Sequence, residues 1–403
     1  MPSEFASHWS LDPAIAFLNH GSYGAAPRAI LAAQQTWRDR MESEPVRFFS
    51  HDLEPAISRA RAELGAFVGA DPNDLAFVPN ATTGVNTVLR SLRFAPGDEL
   101  LTTDHAYNAV KNAMEYVAQR DGARVVVADV AFPGASRADA IAHVLAAATA
   151  RTKLAVLDHI TSATALVLPI EELVAELTGR GIETLVDGAH APGQVALNVP
   201  AIGATYYVAN LHKWVCAPKG SAFLWVHPDR QAAIRPLVIS HGANSPRFDR
   251  SRFRNEFDWT GTADPSCYLV VPDAIRFGEE LIAGGWPALL KRNHALALAA
   301  RDRLCQALGI APPAPDGMLG AMASMPLPAE RRQGVVQGVE LYGDPVHDHL
   351  AALGMQVMVT PWPQRPDGGL WRRLIRISAA AYNDLADFDR LADALPLALA
   401  AAA

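Results

Sequence analysis

A lysine directly behind a short apolar run is the first candidate for chemistry in this chain. Tyr206-Tyr207-Val208-Ala209-Asn210-Leu211-His212-Lys213-Trp214 sets Lys213 at the end of such a run, between His212 and Trp214. The chain has 35 basic residues, of which five are lysines (Lys111, Lys153, Lys213, Lys219, Lys291) and the rest arginines. A guanidinium stays protonated and cannot form a Schiff base, whereas a lysine that sheds its proton in a shielded pocket can. A solvated loop lysine is the ordinary alternative. A second run ends in Leu185-Val186-Asp187-Gly188-Ala189-His190. Its carboxylate suits a cationic ring nitrogen, although an acid there also commonly caps the next helix. A third cluster, Asn80-Ala81-Thr82-Thr83-Gly84, precedes a helical pattern. Backbone N–H groups and hydroxyls at a helix start suit a phosphate, and Thr82 or Thr83 serves equally as a plain N-cap. It matches neither the P-loop nor the dinucleotide glycine fingerprint, so ATP and NAD are not indicated.

These clusters need a frame. Short runs rich in Val, Leu and Tyr occur at Leu75–Val78, Glu99–Thr102, Arg124–Val130, Lys153–Leu157, Glu183–Val186, Thr205–Val208 and Ala222–Val226. Helical patterns lie between several of them, at Thr83–Ser91, Ala109–Arg120, Arg137–Ala150 and Ile170–Gly181. The alternation predicts an α/β domain: a mainly parallel seven-stranded sheet with helices on both faces. The last runs leave little room for a helix, which predicts one antiparallel strand. Ligands of such sheets sit outside the carboxyl ends of the strands. The three clusters, together with Asp104-His105-Ala106-Tyr107 and Asp158-His159-Ile160-Thr161-Ser162, then converge on one cleft.

At 403 residues the chain exceeds the roughly 250–300 at which a single core stops growing. The reading is a large α/β domain over 71–272 and a small α+β domain over 273–403. A mostly helical segment, 1–70, packs across the join. The small domain opens with one long helix from Pro272 past Gln306. Strands at Gly338–Tyr342, Gln356–Thr360 and Leu374–Ser378 and helices at Pro345–Leu353 and Asp384–Leu399 complete it. A net charge of −7 carries no basic balance for nucleic acid. The three cysteines, Cys216, Cys267 and Cys305, are odd in number and show no metal spacing. Their pattern fits a reducing cytoplasm. No signal peptide or membrane-length apolar stretch is visible, and no metal site is expected.

Acid, lysine and phosphate cradle in one cleft are what pyridoxal 5'-phosphate requires. At this point the sequence resembles the class V aminotransferase family of fold-type I pyridoxal-phosphate enzymes, in register from about Phe17 to Tyr382. Three motifs resemble its isopenicillin N epimerase-like branch: Phe17-Leu18-Asn19-His20-Gly21-Ser22-Tyr23-Gly24, Pro45-Val46-Arg47-Phe48-Phe49 and Asp158-His159-Ile160-Thr161-Ser162-Ala163-Thr164-Ala165. The resemblance implies Lys213 as Schiff-base lysine and base, with Asp187 on the pyridine nitrogen. It implies His190 on the phenolic oxygen, with Ser162 where relatives often place an Asn. Ala81, Thr82 and Thr83 match the phosphate turn, joined by Asn210 and His212. Trp259-Thr260-Gly261-Thr262 resembles a segment that reaches the partner subunit's phosphate, which implies a homodimer and assigns Thr262 to the cofactor. Tyr107 is placed over the ring, and Arg376 on the substrate carboxylate, with Asn19 and Arg47 beside the substrate. The Arg252-Phe253-Arg254 stretch is read as a solvated basic loop.

The expectation is an enzyme acting at the α-carbon of an amino acid, epimerase or racemase first. C–S β-elimination follows, then transamination; intact Lys213 and Asp187 argue against a non-catalytic binder. Desulfurases of this superfamily carry a reactive Cys before the carboxylate arginine. The segment Met358-Val359-Thr360-Pro361-Trp362-Pro363-Gln364 has none, which disfavours persulfide chemistry.

Overall fold

The computed structural model describes residues 3–328, 343–362 and 372–402. A two-residue strand β1 (Ala16–Phe17) follows the first turns, and the chain then runs through the helices Arg28–Ser43 and Leu53–Val68. The central sheet is built from β2 (Leu75–Val78), β3 (Glu99–Thr103), β4 (Arg124–Ala128), β5 (Thr152–Asp158), β6 (Glu183–Asp187), β7 (Tyr206–Asn210) and β8 (Ala222–Val226). These are the seven predicted runs within two residues at each end. Their order is β2-β8-β7-β6-β5-β3-β4. Neighbours from β7 to β4 pair parallel, while β8 runs antiparallel to both β7 and β2. The expected antiparallel strand is therefore β8.

β2 and β8 are apolar throughout, and the strands between them in the chain carry apolar stretches, because helices cover both faces. Every residue of β2, β3, β7 and β8 is buried. The sheet consequently has an apolar core on each side, one holding Val85, Val88, Met114 and Tyr206, the other Leu157, Leu173, Tyr207 and Phe223.

Beyond the sheet, the predicted single helix from Pro272 is two helices, Val271–Glu280 and Gly285–Leu308. The amphipathic period carries across the break, but Gly284 and Gly285 take φ of +94° and +59° and turn the chain. A three-stranded antiparallel sheet then forms from β9 (Met322–Pro326), β11 (Met358–Trp362) and β12 (Arg372–Ser378), with β12 central. The short β10 (Met355–Gln356) pairs parallel with β1. The helices Pro345–Ala352 and Leu385–Ala401 occupy their predicted places. The predicted strand at Gly338–Tyr342 lies outside the described residues. Ahead of β2, β1 meets β10 and Ser3 Oγ bonds the Ala381 carbonyl.

Candidate active site

β5, β6 and β7 end side by side, and the polar clusters emerge from those ends. Lys213 follows β7 in a loop pinned from below. The N–H groups of Leu211 and His212 both go to the Ser221 carbonyl, and His212 Nδ1 reaches the same oxygen at 2.8 Å. The Lys213 carbonyl accepts from Cys216 N–H and, at 2.9 Å, from His20 Nε2. A carbonyl only accepts, so His20 carries its proton on Nε2, and Nδ1 takes the Tyr382 hydroxyl at 2.8 Å. Burial holds this histidine neutral, its pKa lowered to about 4. Gly24 packs on the same loop: a Cβ there would lie 2.5 Å from the His212 oxygen.

Lys213 Nζ points to His190 Nε2 at 3.0 Å. Burial pushes its pKa down and the Arg376 charge pushes further, while Asp187 and Asp158 pull back, leaving it at about 7. His190 is held neutral by burial and by the neighbouring cations. With Nε2 accepting from Lys213, its proton sits on Nδ1, which is buried without a protein partner. Asp187 ends β6, 5% exposed, and accepts the Ala189 N–H at 2.9 Å. Burial raises its pKa.

The helix Ala81–Ser91 starts at the edge of this group. Its cap is Asn80, whose Oδ1 accepts both the N–H (2.8 Å) and the hydroxyl (3.0 Å) of Thr83. The threonines considered as caps are therefore inside the helix, because the Asn amide reaches N3 first. Asn210 Oδ1 takes the Ala81 N–H at 2.8 Å, which ties the turn to the end of β7. Among the first three N–H groups, that of Thr82 remains, and its half-buried residue also presents a hydroxyl.

Arg376, on β12, is 1% exposed. One terminal nitrogen donates to the Ser162 carbonyl (2.7 Å) and hydroxyl (3.3 Å). The other donates to Asn19 Oδ1 (3.1 Å) and Ser22 Oγ (2.8 Å). Ser162 thus contacts Arg376. Gly21 makes room, since a Cβ would meet Met322 Sδ at 2.5 Å and the guanidinium at 3.4 Å.

The structure brings together Lys213, Asp187, His190, Arg376, Asn19 and Ser162, with Ala81, Thr82, Thr83, Asn210 and His212 at the adjoining turn. Tyr107 precedes the helix Asn108–Asp121 and is 41% exposed, while His105 beside it is buried against Thr164 and the Val130 carbonyl. Arg47 ends the short helix Pro45–Arg47, exposed and paired with Glu44 at 3.3 Å. Thr262 is exposed. The stretch read as a solvated loop is instead the helix Arg252–Phe257, where Arg254 joins Arg61 and Arg250 on Asp258. Ser251 caps that helix and Phe253 buries against Phe257, which orders a stretch whose charges alone suggested solvent. Two buried groups were given no role by sequence reasoning, His20 and Asp158. Both sat inside quoted motifs, and that was the available signal.

These residues fit pyridoxal phosphate on their own chemistry. A buried lysine whose pKa is lowered to about 7, a dry carboxylate, an unspent imidazole N–H and a helix start with an open N–H and hydroxyl match its aldehyde, ring nitrogen, phenolic oxygen and phosphate.

The family pattern of Aminotransferase class-V matches residues 19–324. Isopenicillin N epimerase of Amycolatopsis lactamdurans is 35% identical, over 96% of this chain and 96% of that protein. Putative L-cysteine desulfhydrase 1 of Oryza sativa subsp. japonica is 32% identical over 98% of this chain and 84% of its own. A crystallised variant of the lyase C-DES, with glycine covalently linked to its pyridoxal-phosphate cofactor, superposes with a TM-score of 0.77 at 21% identity, covering 94% and 96% of the two chains.

Proposed function

Since the chain belongs to the class V aminotransferases, pyridoxal-phosphate-dependent enzymes of fold-type I, we propose that it moves the α-proton of an amino-acid substrate so as to invert that centre, as an epimerase or racemase. The observation that carries this is Lys213 Nζ: buried, 3.0 Å from His190, and near proton balance at neutral pH. Pyridoxal phosphate, when bound, supplies an aldehyde that captures amines and an electron sink beside the α-carbon. Asp187 holds a negative charge against the ring nitrogen, and His190 donates Nδ1–H toward the phenolic oxygen. The Ala81-Thr82-Thr83 turn and Asn210 receive the phosphate. Arg376, fixed by Asn19, Ser22 and Ser162, takes the substrate carboxylate in a charge-assisted fork. Lys213 Nζ then accepts the α-proton on its own face. Inversion needs the proton back on the other face, where we place Tyr107.

The desulfhydrase relatives favour a second reading, β-elimination from a cysteine-derived substrate on the same residues. A persulfide route has no support, because burial raises all three thiols, Cys216 and Cys267 to about 12. We also propose a homodimer with shared sites. Thr262 is exposed yet lies close after Asp258, which three guanidinium groups hold. Leu237, Val238, Ile239 and Phe248 expose apolar surface that a second subunit would cover. Free cysteines support a cytoplasmic setting. No helix among the described residues is long and apolar enough to cross a membrane.

Proton NMR in heavy water, with a panel of amino acids and no added keto acid, separates the two reactions. Deuterium entry at the α-carbon with inversion and an otherwise intact substrate supports epimerisation. Pyruvate and ammonia assign β-elimination instead, and no change at the α-carbon of any amino acid refutes both.

A further inference from the structure

Asp158 closes β5 as Asp187 closes β6, and the two are register partners in parallel strands. Neighbouring strands lie about 4.8 Å apart and partner residues face the same side of the sheet, so both side chains leave the same face, near enough for the charge of Asp187 to act on Asp158. Each residue is only 5% exposed. Two like charges at that spacing, out of water, do not both ionise, and one proton stays on the pair.

The surroundings decide which residue keeps it. Asp187 faces the Lys213 cation and receives the Ala189 N–H. Tyr207, from β7, stands on its other side, with its hydroxyl 2.9 Å from His159 Nδ1. Asp158 receives the Tyr107 backbone N–H and the field of Lys111 from the helix Asn108–Asp121, whose Nζ also donates to the Asp104 carbonyl at 2.6 Å. Lys213 also reaches Asp158, after Asp187 in strength. The repulsion from Asp187 therefore falls on Asp158, together with full burial.

We propose that Asp158 is a positioning residue: a neutral carboxylic acid that donates its proton in a hydrogen bond to Asp187, so that the pair presents one negative charge to the ring nitrogen. The donated bond fixes the Asp187 carboxylate and sets how tightly its charge is held. It also ties Tyr107, through its own N–H, to the same pair.

The inference rests on the reading of Asp187 as the carboxylate at the ring nitrogen, and its tests separate the two. Infrared spectra of the full-length holoenzyme at pH 7, with labelled aspartate, should show a protonated carboxyl stretch that Asp158→Asn removes. Asparagine keeps the donor and the neutrality, so the pH midpoint of the bound cofactor's visible band should stay within about 0.3 units of wild type. Asp158→Leu removes the donor and leaves the charge concentrated on Asp187, which should raise that midpoint by about one unit. Absence of the protonated carboxyl overturns the proposal. So does a midpoint that falls in Asp158→Asn, because removing a negative charge lowers it whereas replacing a neutral acid does not. If the leucine variant does not fold, the asparagine variant and the infrared band still decide. Asp187→Asn with an unchanged visible band refutes the assignment of Asp187, while the infrared result continues to report the proton on Asp158.

Discussion

If Lys213 captures the cofactor as proposed, adding pyridoxal phosphate to cofactor-free protein over a range of pH should report the proton on Lys213 Nζ. Covalent capture of the aldehyde requires the neutral amine, which exists above the pKa. Burial and Arg376 bring that pKa from 10.5 to about 7. With that value the neutral fraction rises from about 0.1 at pH 6 to about 0.9 at pH 8, a climb of about tenfold that then levels off. An ordinary lysine over the same interval climbs about a hundredfold without levelling, from a neutral fraction roughly three thousand times smaller. Stopped-flow absorbance at the visible band reads the rate directly, and Nα-acetyl-lysine in the same buffers provides the ordinary case. Arg376→Met removes the second-largest cause of the depression, so its midpoint should move up. A wild-type rate that rises a hundredfold with no plateau by pH 8 refutes the account of Lys213.

Three further outcomes follow from the same contacts. If Arg376 forks the substrate carboxylate as proposed, Arg376→Met removes two charge-assisted bonds of about 1.5–3 kcal/mol each, so kcat/KM for an amino acid should fall roughly a hundredfold to ten-thousandfold. An amine without a carboxylate should lose far less, and equal losses on both would remove Arg376 from carboxylate binding. Gly24→Ala sets a Cβ 2.5 Å from the His212 oxygen, so cofactor content per chain should drop and urea stability should fall by about 1–3 kcal/mol. Normal values of both would show that the Lys213 loop does not depend on this approach. Tyr382→Phe leaves His20 Nδ1 buried without a donor, costing about 1–3 kcal/mol in denaturant titration, and a loss near zero would contradict the tautomer assigned to His20.

The seven strands of the large sheet were legible because strands covered on both faces must be apolar along their length, as Ala222–Val226 is. The polar clusters were legible for the complementary reason, since β6 turns from Leu185 and Val186 to Asp187 where it meets the cleft. Period alone did not show the break at Gly284, because apolar residues continue on the same face past it. Nor did residue type separate Asn80 from Thr82 and Thr83 as the cap, all three being good capping residues. His20 and Asp158 acquire meaning from partners 193 and 29 positions away, Lys213 and Asp187, and no local pattern encodes such a meeting.

The segment Asn19–Gly24 holds Arg376 by Asn19 and Ser22 and the Lys213 loop by His20 and Gly24. Its partners are made at very different times. At about 5–20 residues per second, His20 leaves the ribosome about 18–72 s before Tyr382, with Lys213 roughly midway. When Lys213 emerges, neither Arg376, whose charge depresses the lysine's pKa, nor Tyr382, the hydroxyl donor of His20, has yet been made. A nascent chain paused in the stretch before β12 carries Lys213 in a more basic, more fully protonated state than the finished protein. If Lys213 captures the cofactor as proposed, covalent loading should be slower on such a paused chain than on the finished protein, a timing set by the order of residues along the chain.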